Sequence, residues 1–238
     1  MSSPHFAFPP LGALTKKIIL VLFGAFIVQA ILEVWVGMPV FRTLALNPTE
    51  LGAATLWQII TYPLVELPAA IFKLLLSLLM LWWFLSPFEH RYGRIRTLQL
   101  CAVAVLSAAL LALSVGYLSL GGGLFLSSYL AGADPIGLAA LCAFALIHRR
   151  SQILLFGVFA MKPMHIILLS IGLSVLMFLI SRDVTTLCAH LGAMGGGAGY
   201  VKWLEKPPRS KRRRPRRGVE ASLHVLQGGR PEPPRWMN

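Results

Sequence analysis

An all-α polytopic membrane protein is the fold class predicted by three observations on this 238-residue chain. Apolar residues make up 56% of it and charged residues 13%, about half the charged share of a soluble globular domain. The apolar residues gather into runs of roughly the 17 to 25 needed to cross a hydrocarbon core about 30 Å thick. Lysines and arginines concentrate in alternate loops between those runs, as cytoplasmic loops do. The mean hydropathy of +0.71 excludes a water-soluble domain. Sixteen prolines and 21 glycines without a strict period exclude a collagen-like chain, and so apolar a composition excludes a disordered one.

Six spans follow in order, over residues 17–37, 67–86, 95–117, 134–148, 163–181 and 185–204. Within the first, Val28-Gln29-Ala30 resembles a signal-cleavage site, but the apolar run continues through Ile31 and Leu32, so the segment reads as a retained span. Residues 38–66 form a long connection, whose stretch 51–60 has an amphipathic pattern. Trp57 and Tyr62 suit the headgroup level, which places the connection in the outer interface. Residues 118–131 read LSLGGGLFLSSYLA, an uncharged glycine- and serine-rich connection beside the short fourth span. Irregular backbone at that depth must be shielded by protein or face water. The triplet Gly121-Gly122-Gly123 lacks the strand and the Lys-Ser/Thr of a nucleotide-binding loop.

The loops check the count. Lys16 and Lys17 precede span one; Arg91, Arg94 and Arg96 join spans two and three; Arg149, Arg150 and Lys162 join spans four and five. The alternate loops hold Arg42 and Arg182 with Glu50, Glu66 and Asp183, so both termini are expected in the cytoplasm. Eleven of the 22 basic residues lie after Val201, and residues 207–218 read PPRSKRRRPRRG. This proline-broken stretch has no apolar periodicity, which predicts a disordered tail that anchors topology and attracts anionic lipid. Without interleaved aromatics it does not predict nucleic-acid binding. The expected organisation is a cytoplasmic segment 1–16, a membrane domain 17–204 and a basic tail 205–238. Cys101, Cys142 and Cys188 sit in apolar runs without ligand spacing, so no metal or cofactor is expected.

Ionisable residues inside spans are costly, about 2.5–3.5 kcal/mol each on insertion scales, and mark functional sites. Lys73, Asp134 and His190 qualify, all toward the outer half, which suggests one shared polar cavity. His190 begins AHLGAMGGGAGY, where Gly192/Gly196 and Gly195/Gly199 form overlapping small-xxx-small pairs that admit a close neighbouring helix.

In chain order, four segments resemble the rhomboid intramembrane serine proteases. WQIITYPLVE, from Trp57, resembles the family's WR-x-[VI]-T-[YS] ahead of span two. LWWFLSPFEHRYG resembles W-x-F-G-x-x-x-E-x-x-x-G, with Glu89 and Gly93 in register. GADP, from Gly132, falls at the family's G-x-S-G, and AHLGAMGGGAGY at its histidine-bearing AH-x-G-G-x-x-x-G. The resemblance spans residues 57–200 and implies a six-span rhomboid-like bundle with a serine–histidine dyad that cleaves peptide bonds.

Carried over residue by residue, only half of that dyad is kept. His190 matches the base, while the nucleophile position falls on Asp134 and the following glycine on Pro135. The family's span-two His-x-x-x-Asn donors become Lys73 and Ser77, the latter twelve residues before Glu89. A carboxylate has no hydroxyl to deprotonate, so the resemblance implies a pseudoprotease that binds client transmembrane proteins against spans two and five. It also brings Lys73 and Asp134 together as a buried ion pair. Two alternatives stay open: an active endopeptidase using a displaced serine (Ser77, Ser127, Ser128, Ser170 or Ser174), and a small transporter or proton-coupled carrier relaying through Lys73, Asp134 and His190. The carrier reading lacks an evident internal repeat. A prokaryotic plasma membrane suits the compact form without targeting extensions; His148-Arg149-Arg150 reads as topology charge, and His165, beside Lys162-Pro163, as structural.

Overall fold

The computed structural model describes residues 10–49, 52, 55–119, 129–149, 153–155 and 159–206. Its first helix, α1 (Ala13–Val34), starts four residues ahead of the predicted span because of a contact that no local pattern encodes. The Glu89 carboxylate accepts the backbone N–H groups of Leu14 and Thr15 and the Thr15 hydroxyl, each at 2.8 Å. First-turn N–H groups have no partner within their own helix, and a carboxylate there also meets the positive end of the helix dipole. Gly12 makes room for it, since a Cβ at that position would overlap the Glu89 carboxylate. Glu89 therefore joins the end of the second membrane segment to the start of the first. Glu89→Ala is expected to cost about 1–3 kcal/mol of unfolding free energy, measured in mixed micelles, because three donors, two of them buried, lose a charged acceptor.

The long connection carries two short helices, α2 (Val40–Leu44) and α3 (Gln58–Thr61). Leu56, Trp57 and Ile60 are exposed while Gln58 and Tyr62 are buried, the two-sided arrangement of an interfacial layer. Trp57 is held by its indole N–H, which donates to the Thr43 carbonyl at 3.2 Å. Beyond a 3₁₀ turn at Pro68–Ala70 come α4 (Ile71–Met80), a π-helical turn (Leu81–Leu85) and α5 (Ser86–Tyr92). They form one segment, Pro68–Tyr92, longer than the predicted span. The wider turn lies just ahead of Pro87, whose ring carries no N–H, so the helix crosses the proline rather than ending at it. Gly93 then breaks the helix with φ +82°, a value L residues rarely adopt.

The remaining helices are α6 (Arg94–Ser119), α7 (Asp134–Ile147), α8 (Pro163–Ser181) and α9 (Val184–Leu204). Between α7 and α8 lies an element the sequence does not predict: strands β1 (Ile153–Leu155) and β2 (Phe159–Met161) pair antiparallel, Leu154 opposite Ala160. The 14-residue α7 is too short for a typical span, yet every residue from Pro135 to Ala145 is buried. A helix apolar all round belongs at the centre of a bundle, and α4, α5, α6, α8 and α9 all pack against it.

Glycines set the closest approaches. A Cβ at Gly192 or Gly196 would strike Ser107 of α6, and one at Gly197 would strike the Ala139 backbone of α7. Gly195 and Gly199 face open space, so the second predicted small-residue pair makes no close helix contact, and Gly197 takes the role instead. Helices stand at all six predicted spans; among the described residues four segments, Ala13–Val34, Pro68–Tyr92, Arg94–Tyr117 and Pro163–Ser181, are long and apolar enough to cross a membrane. The N-terminal residues 1–9, Ser127, Ser128, the Gly121–Gly123 triplet and the basic tail from Pro207 lie outside the described residues.

Candidate functional site

The lead-in to α7 is fixed from two sides. Leu130 and Leu46 exchange backbone hydrogen bonds of 2.9 and 2.7 Å, and the Gly132 N–H donates to the Tyr62 carbonyl at 3.1 Å. Gly132 has φ +106°, a conformation suited to glycine, and the turn it makes delivers Asp134 as the first residue of α7.

Asp134 faces α4. Its Oδ2 lies 3.1 Å from Lys73 Nζ, and its Oδ1 accepts from the Ser77 hydroxyl. Lys73 and Ser77 are one turn apart on a single face of α4, which is why one carboxylate reaches both. The expected approach of Lys73 to Asp134 is therefore present in the geometry, but the cluster has a third charged member that sequence reasoning missed. Glu66 Oε1 lies 2.9 Å from Lys73 Nζ, and the third ammonium proton reaches the Ala131 carbonyl at 3.3 Å. The available signal was spacing: Glu66 precedes Lys73 by seven residues, two helical turns, although the intervening chain is a 3₁₀ turn.

Glu66 is 3% exposed, and its Oε2 has no hydrogen-bond partner among the described residues. Burial pushes its carboxyl above the ordinary carboxylate range, outweighing the opposing pull of the Lys73 ammonium. Its backbone is clamped by Gln29, buried on α1, which donates to the Glu66 carbonyl at 2.8 Å and accepts the Glu66 N–H at 3.1 Å. Gln29, noticed in the sequence only as part of an apparent cleavage site, thus positions the acid end of the cluster.

His190 belongs to the other wall. Its Nδ1 lies 3.1 Å from Ser174 Oγ on α8. The Ser174 hydroxyl also has the Ser170 carbonyl as an acceptor at 2.9 Å, and when its proton goes there the contact with His190 is made by an Nδ1–H donating to the hydroxyl oxygen. In that tautomer Nε2 is an acceptor. Lys73, Asp134, Ser170, Ser174 and His190 all line one cavity of about 580 Å³ enclosed by α4, α7, α8 and α9. Among the remaining motif residues, Trp57, Glu89, Gly93, Gly192 and Gly196 build the frame rather than line the cavity. Among the described residues no group of three His, Cys, Asp or Glu stands together as a metal site, and the three cysteines are free thiols.

A polytopic helical bundle with a polar cavity between four helices is the architecture of an integral membrane protein. Residues 53–206 match the Rhomboid domain, and the chain belongs to the rhomboid family. No curated protein matches the chain.

Proposed function

We propose that this protein is a rhomboid pseudoprotease of a prokaryotic plasma membrane, with six spans and both termini in the cytoplasm, that holds client transmembrane helices without cleaving them. The observation that carries the reading is Asp134. It occupies the position that the resemblance assigns to the nucleophile, and its carboxylate is engaged by Lys73 and Ser77 rather than by His190. An ionised carboxylate only accepts hydrogen bonds, so His190 finds no proton there to remove. Lys73, at the position of one of the family's oxyanion donors, is committed to the same carboxylate and to the Ala131 carbonyl, and Ser77, at the other, has its single proton shared between that carboxylate and the Lys73 carbonyl. The basic tail adds attraction to anionic lipid.

One observation favours a second reading. Ser174 and His190 are within hydrogen-bond reach in the cavity, so Ser174 is the displaced serine with a base beside it. Against it, the Ser170 carbonyl lies at 2.9 Å from the Ser174 hydroxyl, closer than the imidazole at 3.1 Å, and competes for its one proton.

The test is cleavage of a panel of model transmembrane substrates in lipid by wild type, His190→Ala and Ser174→Ala. The expected outcome is no cleavage by any of them, together with photocrosslinking of intact transmembrane segments to residues of α4 and α8. Cleavage by wild type that both variants lose would overturn the pseudoprotease reading in favour of Ser174.

A further inference from the structure

We infer that the cavity selects client helices carrying an arginine or lysine in the outer third of their span, an inference that rests on the client-binding reading. The argument begins with size. A transmembrane helix about 10 Å across and 30 Å long fills roughly 2,400 Å³, whereas the cavity holds about 580 Å³. A client therefore rests outside, against the exposed Phe72 and Leu76 of α4 and Leu173 and Met177 of α8, and inserts side chains only.

The hydrogen-bond inventory of the lining then decides which side chains fit. Its donors are spent. Ser170, Ser174 and Ser181 donate to the carbonyls of Ile166, Ser170 and Met177, at 2.9, 2.9 and 2.8 Å, and Thr186 donates to Asp183. The three protons of the Lys73 ammonium go to Glu66, Asp134 and the Ala131 carbonyl. The 43% exposure of the Lys73 side chain thus offers a client stem rather than free donors.

Acceptors are left over. Each carboxylate oxygen of Asp134 has one bond and room for another, Asp183 stands at the rim, and His190 adds Nε2 when its proton is on Nδ1. In the lining itself Asp134 and Asp183 outnumber Lys73 in formal charge. A lining with more open acceptors than free donors favours an inserted cation with several N–H groups and disfavours a carboxylate.

The experiment uses the full chain in phosphatidylcholine vesicles, with energy transfer to labelled leucine-alanine helices of about 22 residues. Each helix carries one guest residue in its outer third: Arg, Lys, Gln, Glu or Leu. Arg and Lys helices are expected to associate about tenfold more tightly than the Leu helix, with Glu no better than Leu. In Asp134→Asn that preference should shrink, and the comparison among guests in wild type stands even where this variant fails to fold. Equal association of all guests, or tighter association of the Glu helix, overturns the inference and leaves client binding intact. Association of none overturns the client-binding reading and this inference with it.

Discussion

Lys73→Met is expected to destabilise the protein by about 2–4 kcal/mol in mixed micelles, because it leaves two carboxylates facing one another without their shared cation. The lower half of that range is favoured by the exposure of the lysine stem on the cavity side, 43%, which lets water or headgroups relieve part of the loss. Asp134→Asn should cost less, since Lys73 keeps Glu66 at 2.9 Å and an amide can still accept from Ser77. In the double variant the effects should fall short of additive by about 1 kcal/mol or more, the signature of groups that share a partner. Purely additive effects would mean that the 3.1 Å contact between Lys73 and Asp134 carries no coupling, and the ion-pair account would fail.

Acidity supplies a second readout. Burial raises the folded-state pKa of Glu66 above the ordinary carboxyl value. Folding therefore favours its protonated form, and stability falls as pH rises from the ordinary carboxyl range toward the raised value. Without Lys73 the charged form of Glu66 loses its main counter-charge, so this pH-dependent loss should steepen. The Lys73→Met defect is expected to be smallest at acid pH and largest at neutral pH. A defect independent of pH would assign it to lost packing of the lysine stem rather than to charge.

Much of the site was legible in the sequence because membranes make polar groups conspicuous. Lys73, Asp134 and His190 stand out in apolar runs, and the family resemblance aligned them across 117 residues of chain into one cavity. Glu66 and Gln29 were not legible in the same way. Glu66 lies at the edge of a long connection, where a charge costs little in a hydropathy reading, and Gln29 is an uncharged residue inside the first span, so only the fold shows that both are buried and paired. The helix starts show the same limit. The four-residue extension of α1 depends on the Glu89 carboxylate, 74 positions from Thr15 in sequence, which no local periodicity contains. Likewise, small-xxx-small spacing marks α9 as a packing helix, but the choice among its glycines depends on which neighbour each one faces: Ser107 for Gly196 and Ala139 for Gly197.

Gly132→Ala is the substitution expected to damage fold and site together, at about 2–4 kcal/mol. Two independent costs add. At φ +106° an L residue is strained by about 1–2 kcal/mol or more. A Cβ at this position would also stand 2.5 Å from Glu66 Oε2 and 2.9 Å from Lys73 Nζ, closer than real contacts allow. Glu66 has little freedom to retreat, because Gln29 clamps its backbone. The Lys73–Asp134 coupling should therefore weaken in the Gly132→Ala background as the ammonium is displaced. Gly199→Ala on α9 is the matched control, since nothing lies within 4 Å of its added Cβ, and it should change stability by no more than about 0.5 kcal/mol. Combining Gly132→Ala with Glu66→Ala separates the two costs, as removing the carboxylate opens the space but leaves the backbone strain. If the combined variant is destabilised by no more than Glu66→Ala alone, the steric term dominates and Gly132 serves the ion cluster. If the Gly132→Ala loss persists in full, the turn itself is what requires glycine, and Asp134 depends on that turn for its place at the start of α7.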